Sequence, residues 1–233
     1  MNFPSPLLKG RLIKRYKRFL ADVQLETGDV ITAHCPNPGS MLGLKTPDSE
    51  CWVSRSDNPK RKLQYTLEIM RADGTLVAIN TNNPNTLARE AIENGTIAPL
   101  AEFTTLRREV AYGANSRIDL LLEGTPDGTS WVEVKNCHLM RTPGLAEFPD
   151  SVTKRGTKHL GELALKAQQG DRAVQLFIVQ RADCRVLRPA EDLDPEYAKA
   201  LRSAASKGVE VYAYACEVSL SSIQVSHQIE VEP

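Results

Sequence analysis

Alternating apolar and polar residues dominate the first 80 positions of the chain. Turn signals such as Glu26–Asp29 and Ala72–Gly74 separate the alternating runs, and no helical period of useful length interrupts them. The runs that read as strands are residues 7–15, 19–25, 30–35, 50–56, 62–70 and 75–80. Short strands at this density predict a small closed barrel over residues 1–80, and a partly open five-stranded OB-like β-barrel is the most economical choice.

A different pattern begins after Asn80. Pro84–Asn94 predicts a helix, because Pro84 lies in its first turn and Gly95 stands where the helix should end. Further on, the pattern predicts strands over 103–112, 116–123 and 130–137, a helix over 152–169, a strand over 173–180, a helix over 195–208 and a final strand over 209–218. This αβββαβαβ order predicts a mixed α/β domain over residues 81–233.

Composition limits the class of protein. With 233 residues, of which 41% are hydrophobic, the chain is long enough to bury a substantial core. No run reaches the roughly 18 apolar residues of a membrane span, and the basic start has no signal-peptide stretch, so we expect a soluble, cytoplasmic protein without membrane association. The five cysteines are odd in number and form no CxxC pair. They therefore predict neither a disulfide framework nor a zinc site.

Charge is distributed unevenly although the formal net charge is zero. Residues 1–79 hold 12 Lys and Arg against 8 Asp and Glu, so the remainder holds 17 against 21. A basic surface interleaved with aromatic residues can contact phosphates and stack on bases. We therefore predict non-sequence-specific DNA binding by the cations of the first domain, which are Arg11, Lys14, Arg15, Lys17, Arg18, Arg55, Lys60, Arg61 and Lys62.

The most informative chemistry lies on the predicted hairpin. Glu133 and Lys135 are two positions apart on one strand and therefore share a face. Asp119 can lie across from them on the preceding strand. Two carboxylates of this kind suit Mg²⁺ or Mn²⁺, and a neighbouring lysine suits the charge of a phosphodiester under attack. Glu90, on the preceding helix, is expected to add a further carboxylate through water.

The helix over 152–169 carries an apolar stripe and a charged face. A solvated surface is one interpretation of the charged face. The other is that its cations meet DNA phosphates near the metal. The candidates for that role are Lys154, Arg155, Lys158 and His159, together with Arg117.

The pattern of an Asp, thirteen intervening residues and Glu-Val-Lys resembles the PD-(D/E)xK nuclease core, with Ile118 where that core usually has proline. The whole chain resembles the sugar fermentation stimulation protein A (SfsA) family. The stretches that carry the resemblance are HCPNPGSM (34–41), NTNNPN (80–85), SRIDLLL (116–122), WVEVKN (131–136) and FPDSVTKRGTKHLGEL (148–163). The resemblance implies an OB-like barrel, a nuclease-like second domain, non-specific DNA binding and a regulatory role in sugar (maltose) metabolism.

Three functions are therefore open at this point. The first is a DNA-binding regulator whose nuclease-like domain is a binding platform, and the second is a working magnesium-dependent nuclease. The third is a sensor of a sugar or another effector, although no motif marks a sugar pocket. The sequence leaves the preferred nucleic acid and the oligomeric state open.

Overall fold

The computed structural model describes residues 1–113 and 116–233. Its first lobe is a sheet with strand order β3-β2-β1-β4-β5-β6. A parallel pairing between β3 and β5 closes the first five strands into a barrel, as predicted. The strands are β1 (Leu8–Tyr16), β2 (Leu20–Leu25), β3 (Val30–His34), β4 (Glu50–Arg55), β5 (Tyr65–Ala72) and β6 (Thr75–Ala78).

The barrel forms because its strands alternate between core and solvent. In β2, for example, Ala21, Val23 and Leu25 are buried, while the residues between them are more exposed. Trp52 is 3% exposed, so it packs in the lobe and does not form a stacking platform on its surface. The tight turn between β1 and β2 places Lys17 and Arg18 at positive φ, which brings Arg18 toward the second lobe.

The second lobe is a nine-stranded mixed sheet with strand order β10-β11-β13-β15-β14-β12-β9-β8-β7. Its helices are α1 (Pro84–Glu93), α2 (Lys154–Gln168) and α3 (Pro195–Ser206), with a short 3-10 helix at Ala98–Leu100. Its strands are β7 (Thr105–Tyr112), β8 (Ser116–Thr125), β9 (Gly128–Cys137), β10 (Leu139–Thr142), β11 (Leu145–Phe148), β12 (Arg172–Val179), β13 (Val186–Pro189), β14 (Glu210–Val218) and β15 (Ile223–Val231).

Helices cover both faces of this sheet. Helices α2 and α3 pack on one face through residues such as Leu163 and Leu201, and α1 packs on the other through Leu87 and Ile92. Strands β7, β8 and β9 are antiparallel, whereas β9, β12 and β14 are parallel to one another. The central strand β12 is buried on both faces, which explains its continuous apolar run.

The structure corrects the end of the predicted order. Strand β14 is not the final strand, because β15 follows it and pairs antiparallel with it. Strands β10, β11 and β13 are four residues each, too short to show a period, and were not predicted. Of the helices in the described ranges, none is long and apolar enough to cross a membrane.

Candidate metal and nucleic-acid site

The site lies where β8 and β9 separate. Their ladder of backbone hydrogen bonds ends at the pair Leu120 and Val132. The N–H of Val134, further along β9, therefore has no backbone partner on β8. The Asp119 carboxylate takes that place, since its Oδ2 accepts from the Val134 N–H at 2.8 Å. The same divergence opens a cavity of about 650 Å³ that Asp119, Glu133 and Lys135 all line. The structure thus brings together the three residues predicted from the hairpin.

Glu133 is the most buried acid of the site, with 2% of its surface exposed. Its Oε1 accepts from Lys135 Nζ at 2.6 Å and from His159 Nδ1. Its Oε2 is buried and has no hydrogen-bond partner among the described residues. A buried acceptor without a partner is costly in free energy, so this oxygen is suited to a ligand that the protein chain does not itself supply.

Asp119 is held on both sides. Besides the Val134 N–H, the Asn85 amide of α1 donates to Asp119 Oδ1 at 2.8 Å. Burial and the neighbouring Glu133 charge nevertheless raise the pKa of Asp119, against the pull of Val134, Lys135 and Asn85. Asn85 belongs to the NTNNPN stretch, but that stretch had no assigned role at the level of sequence.

The two acids of the site differ in their electrostatics. Burial raises the pKa of Glu133, but the hydrogen bond from His159 and the charge of Lys135 outweigh burial and lower it overall. The pKa of Glu133 is therefore lowered and that of Asp119 is raised, so Glu133 loses its proton more readily than Asp119. A cation between them would favour the charged form of both.

His159 does not have its predicted role. It is 3% exposed, on the first turns of α2, and contacts Glu133, so the expectation that it meets phosphates is wrong. Arg155 Nε donates to His159 Nε2 at 3.3 Å, which leaves Nδ1 as the nitrogen that donates to Glu133. A buried carboxylate needs partners, and His159 supplies one.

Glu90 does not join the site either. Its Oε2 lies 2.6 Å from the N-terminal ammonium of Met1, and Glu90 is not among the residues that line the cavity. Asn85, five residues earlier on α1, faces Asp119 instead. Five residues rotate a helix by about 500°, so these two side chains point in different directions.

Several predicted phosphate-contacting cations surround the carboxylates. Arg18 of the barrel and Arg155 of α2 line the main cavity, and so does Arg108 of β7, which was not predicted. A second cavity of about 330 Å³ adjoins it and is lined by Arg117, Lys158 and Arg155 among others. Lys158 Nζ also donates to Ser116 Oγ at 3.1 Å. Lys154 is exposed on α2 but lines neither cavity.

Other barrel cations have structural partners. Arg15 was predicted to contact phosphate. Its Nη2 instead donates to the backbone carbonyls of Arg18, Asn37 and Gly39, so Arg15 holds a loop in place. Arg11 and Lys14 lie beside acids, and Arg61 Nη2 donates to Thr66 Oγ1. The remaining predicted cations are exposed but line neither cavity, and they are Lys17, Arg55, Lys60 and Lys62.

Asp150 joins the barrel to the edge of the cavity. Its Oδ2 accepts from the Met41 N–H at 2.9 Å, and its backbone carbonyl accepts from Ser40 Oγ at 2.7 Å. His138 Nε2 lies 3.5 Å from the same carboxylate. Asp150 and His138 both line the cavity, and neither was a predicted site residue. The signal for Asp150 in the sequence was the stretch FPDS (148–151), together with HCPNPGSM (34–41), which holds its partners Ser40 and Met41.

Metal binding would depend on the two carboxylates. Among the described residues there is no group of three or more His, Cys, Asp or Glu side chains arranged to hold a metal ion. Mg²⁺ does not need such a group, because it is typically held by one or two carboxylates and keeps several waters. Asp119 and the unpaired Oε2 of Glu133 therefore fit a hard divalent cation.

Comparisons with known proteins cover the whole chain. A family model described as the sugar fermentation stimulation protein RE domain matches residues 82–222, and one described as the SfsA N-terminal OB domain matches residues 13–79. The sugar fermentation stimulation protein homolog of Maricaulis maris is 60% identical over 232 residues, which cover 100% of this chain and 99% of the relative. The homolog of Rhodospirillum centenum is 53% identical over 231 residues and 99% of each chain.

A solved structure agrees with these relatives. It is described as Pyrococcus furiosus SfsA in complex with Ca²⁺, and it matches with a TM-score of 0.89 at 27% identity, over 100% of this chain and 98% of the other. The predicted fold class, an OB-like barrel followed by a mixed α/β domain, is confirmed.

Proposed function

This chain belongs to the sugar fermentation stimulation protein (SfsA) family, and we propose that it is a non-sequence-specific DNA-binding protein with a nuclease-type divalent-metal site. Asp119 and Glu133 are the metal ligands, and Lys135 is the neighbouring cation. The observation that carries the proposal is the buried Oε2 of Glu133, which has no partner in the described part of the chain. A regulatory role in sugar metabolism is consistent with the family name and is part of the proposal.

The carboxylates are suited to a hard cation. Both line one cavity, and the charge of Glu133 raises the pKa of Asp119, so the two carboxylates interact electrostatically. The related Pyrococcus furiosus protein is described in complex with Ca²⁺, which supports a divalent cation in this family. We propose Mg²⁺ or Mn²⁺ as the physiological ion. When bound, it would polarise a phosphodiester oxygen and lower the pKa of a coordinated water.

Lys135 is suited to stabilising charge on a phosphate. Its side chain is 15% exposed, and its Nζ donates to Glu133 Oε1 at 2.6 Å, which fixes the ammonium beside the metal ligands. An ammonium has three N–H donors, so two remain for phosphate oxygens. In a partly desolvated cavity such donors act more strongly than in water.

DNA binding is supported by the arginines around the cavity. Arg18, Arg108 and Arg155 approach it from the barrel, β7 and α2, respectively. Within residues 1–113 and 116–233, none of the three forms an ion pair with an acid at 4.0 Å or less. Guanidinium groups without an acidic partner can bind two phosphate oxygens at once in bidentate geometry.

Metal binding is tested by calorimetric titration of the apoprotein with Mn²⁺ and Mg²⁺. We expect Glu133→Gln to lose most of the affinity, because an amide oxygen without charge replaces the anionic ligand. Glu196→Gln is the matched control, since Glu196 is exposed on α3 and lines neither cavity. Equal affinities in the two variants would exclude Glu133 as a ligand.

DNA retention is tested on a gel over a series of salt concentrations. Because phosphate contacts release counterions, we expect retention at low salt that falls steeply as salt rises. A protein that fails to retain DNA even at the lowest salt does not have the proposed function.

Cleavage is the second candidate function, and the presence of all three residues in one cavity favours it. Single-stranded, duplex and branched DNA are incubated with Mg²⁺ or Mn²⁺ beside Lys135→Ala. We expect this variant to lose cleavage and to keep DNA binding, because the arginines that contact phosphate lie elsewhere. Lys199→Ala, on the exposed surface of α3, is the control. Cleavage that persists in Lys135→Ala would overturn the assignment of Lys135.

A further inference from the structure

The two cavities beside the carboxylates share a wall. Arg155 and Glu109 line both of them, and His159, which contacts Glu133, lines the smaller one. The main cavity contains the carboxylates, and the smaller cavity lies beyond Arg155. They therefore form one path that passes the proposed metal ligands.

The smaller cavity is cationic. Arg117, Arg155 and Lys158 line it together with one acid, Glu109, and Ser116 adds a hydroxyl. Lys158 also pairs with Glu162 at 3.5 Å. Such a cavity suits the phosphate groups of a nucleic-acid strand. Glu109 is exposed and has a positive φ of 53°, a conformation uncommon for a residue with a side chain and found often at functional sites.

The main cavity is bounded on one side by the barrel. The loop residues Asn37, Pro38 and Gly39 line it together with Arg18. This loop is tied to the second lobe, because Asp150 accepts from the Met41 N–H through its Oδ2 and from Ser40 Oγ through its backbone carbonyl. Widening the cavity would break these bonds.

The size and enclosure of the main cavity determine which form of nucleic acid can enter it. A volume of about 650 Å³ is within the range, roughly 300–1,000 Å³, of pockets that enclose a small ligand. Glu133 lies at a buried position in that cavity and is 2% exposed. A short piece of one strand can enter such a cavity, whereas a duplex would have to displace the barrel loop.

From this geometry we infer that the substrate of the site is single-stranded DNA, which runs from the loop Asn37–Gly39 past Asp119 and Glu133 to the cation cluster of Arg117, Arg155 and Lys158. This inference rests on the proposed function and specifies its substrate. Arg18 contacts the strand on the barrel side, and Arg117 contacts it on the far side. Glu109 opposes phosphate between them.

The test measures binding by fluorescence anisotropy, with Ca²⁺ in the buffer, for a labelled single strand and for the same sequence as a blunt duplex. We expect the single strand to bind more tightly. Arg18→Ala and Arg117→Ala should each reduce the slope of log affinity against log salt by about 0.7 for the single strand, the value for one lost phosphate contact. Glu109→Gln should raise the affinity.

Arg185→Ala is the matched control, because Arg185 is exposed and lines neither cavity, and its salt slope should equal that of the wild type. Duplex binding as tight as single-strand binding, or slopes unchanged in both test variants, would overturn the inference while leaving DNA binding intact. Failure of every DNA to bind would instead remove the proposed function itself.

Discussion

The contact of Asp150 with the barrel loop gives a prediction with a defined magnitude. Burial raises the pKa of Asp150, but the contacts with His138 and the Met41 N–H outweigh it and lower the pKa from 3.8 to about 2. Since a pKa difference of one corresponds to about 1.36 kcal/mol, ionised Asp150 stabilises the folded state by roughly 2 kcal/mol at pH 7. Asp150→Asn removes the charge and should lose about that much.

The sign of the pH dependence follows from the lowered pKa. The stabilisation is complete above the unfolded pKa of 3.8 and is lost as the pH falls through about 2. At pH 3 roughly half of the stabilisation at neutral pH should remain. The difference between wild type and Asp150→Asn should therefore narrow by about half between pH 7 and pH 3.

Thermal unfolding at both pH values measures this difference. For a chain of this length, about 2 kcal/mol should lower the Tm of Asp150→Asn by roughly 4 to 8 °C at pH 7. Asp192→Asn is the control, because Asp192 is an exposed partner of Arg141 and should change the Tm less. Equal Tm values at pH 7, or a difference that does not narrow at pH 3, would refute the reasoning.

Three further predictions concern Gly39 beside Asp150, the proposed metal ligand Asp119, and His159. A Cβ at Gly39 would lie 2.5 Å from both Asp150 carboxylate oxygens, so Gly39→Ala should lower the Tm, and its effect should not add to that of Asp150→Asn in the double variant. Asp119→Asn should weaken Mn²⁺ binding in calorimetry, whereas Glu90→Gln should not. A loss in Glu90→Gln would contradict its pairing with Met1. His159→Ala should also weaken Mn²⁺ binding through misplacement of Glu133, and His159→Gln, which keeps an N–H donor, should recover part of it. Equal losses in both His159 variants would contradict a positioning role.

The fold was largely predictable because its strands carry a clear period. Alternation marks the barrel strands, and an unbroken apolar run marks β12, which is buried on both faces. The resemblance to the SfsA family is likewise confirmed. Strand β15 was missed because it is half polar, with Gln224, Ser226 and His227 among its exposed or partly exposed residues. Nothing local distinguishes such a segment from a loop, and only its pairing with β14 makes it a strand.

The site was predictable where local geometry determines it. Glu133 and Lys135 share a face because strand residues alternate, and this holds in any fold that contains the strand. Glu90 and His159 depend on how a helix is rotated against the sheet. Glu90 was expected to add a carboxylate to the site through water, and His159 to meet phosphates. Instead, Glu90 pairs with Met1 and His159 is buried against Glu133. The rotation follows from packing of apolar residues across the sheet, which a charge pattern does not contain.

The zero net charge of the chain is compatible with DNA binding because several of its acids form ion pairs with arginines away from the smaller, cationic cavity. Glu147 and Asp192 both bind Arg141, and Glu210 binds Arg172, in ion pairs outside the cationic cavity. Glu147 and Asp150 line the main cavity as well, but Glu147 pairs with Arg141 and Asp150 accepts from the Met41 N–H. The other acids beside the path are Asp119, Glu133 and Glu109, and a divalent cation would offset the first two. A strand approaching this metal-bound site would then meet Arg18, Arg108, Arg155 and Arg117 beside Glu109. Metal and DNA should therefore bind cooperatively, and the affinity for a single strand should rise when Ca²⁺ is added to wild type but not to Glu133→Gln.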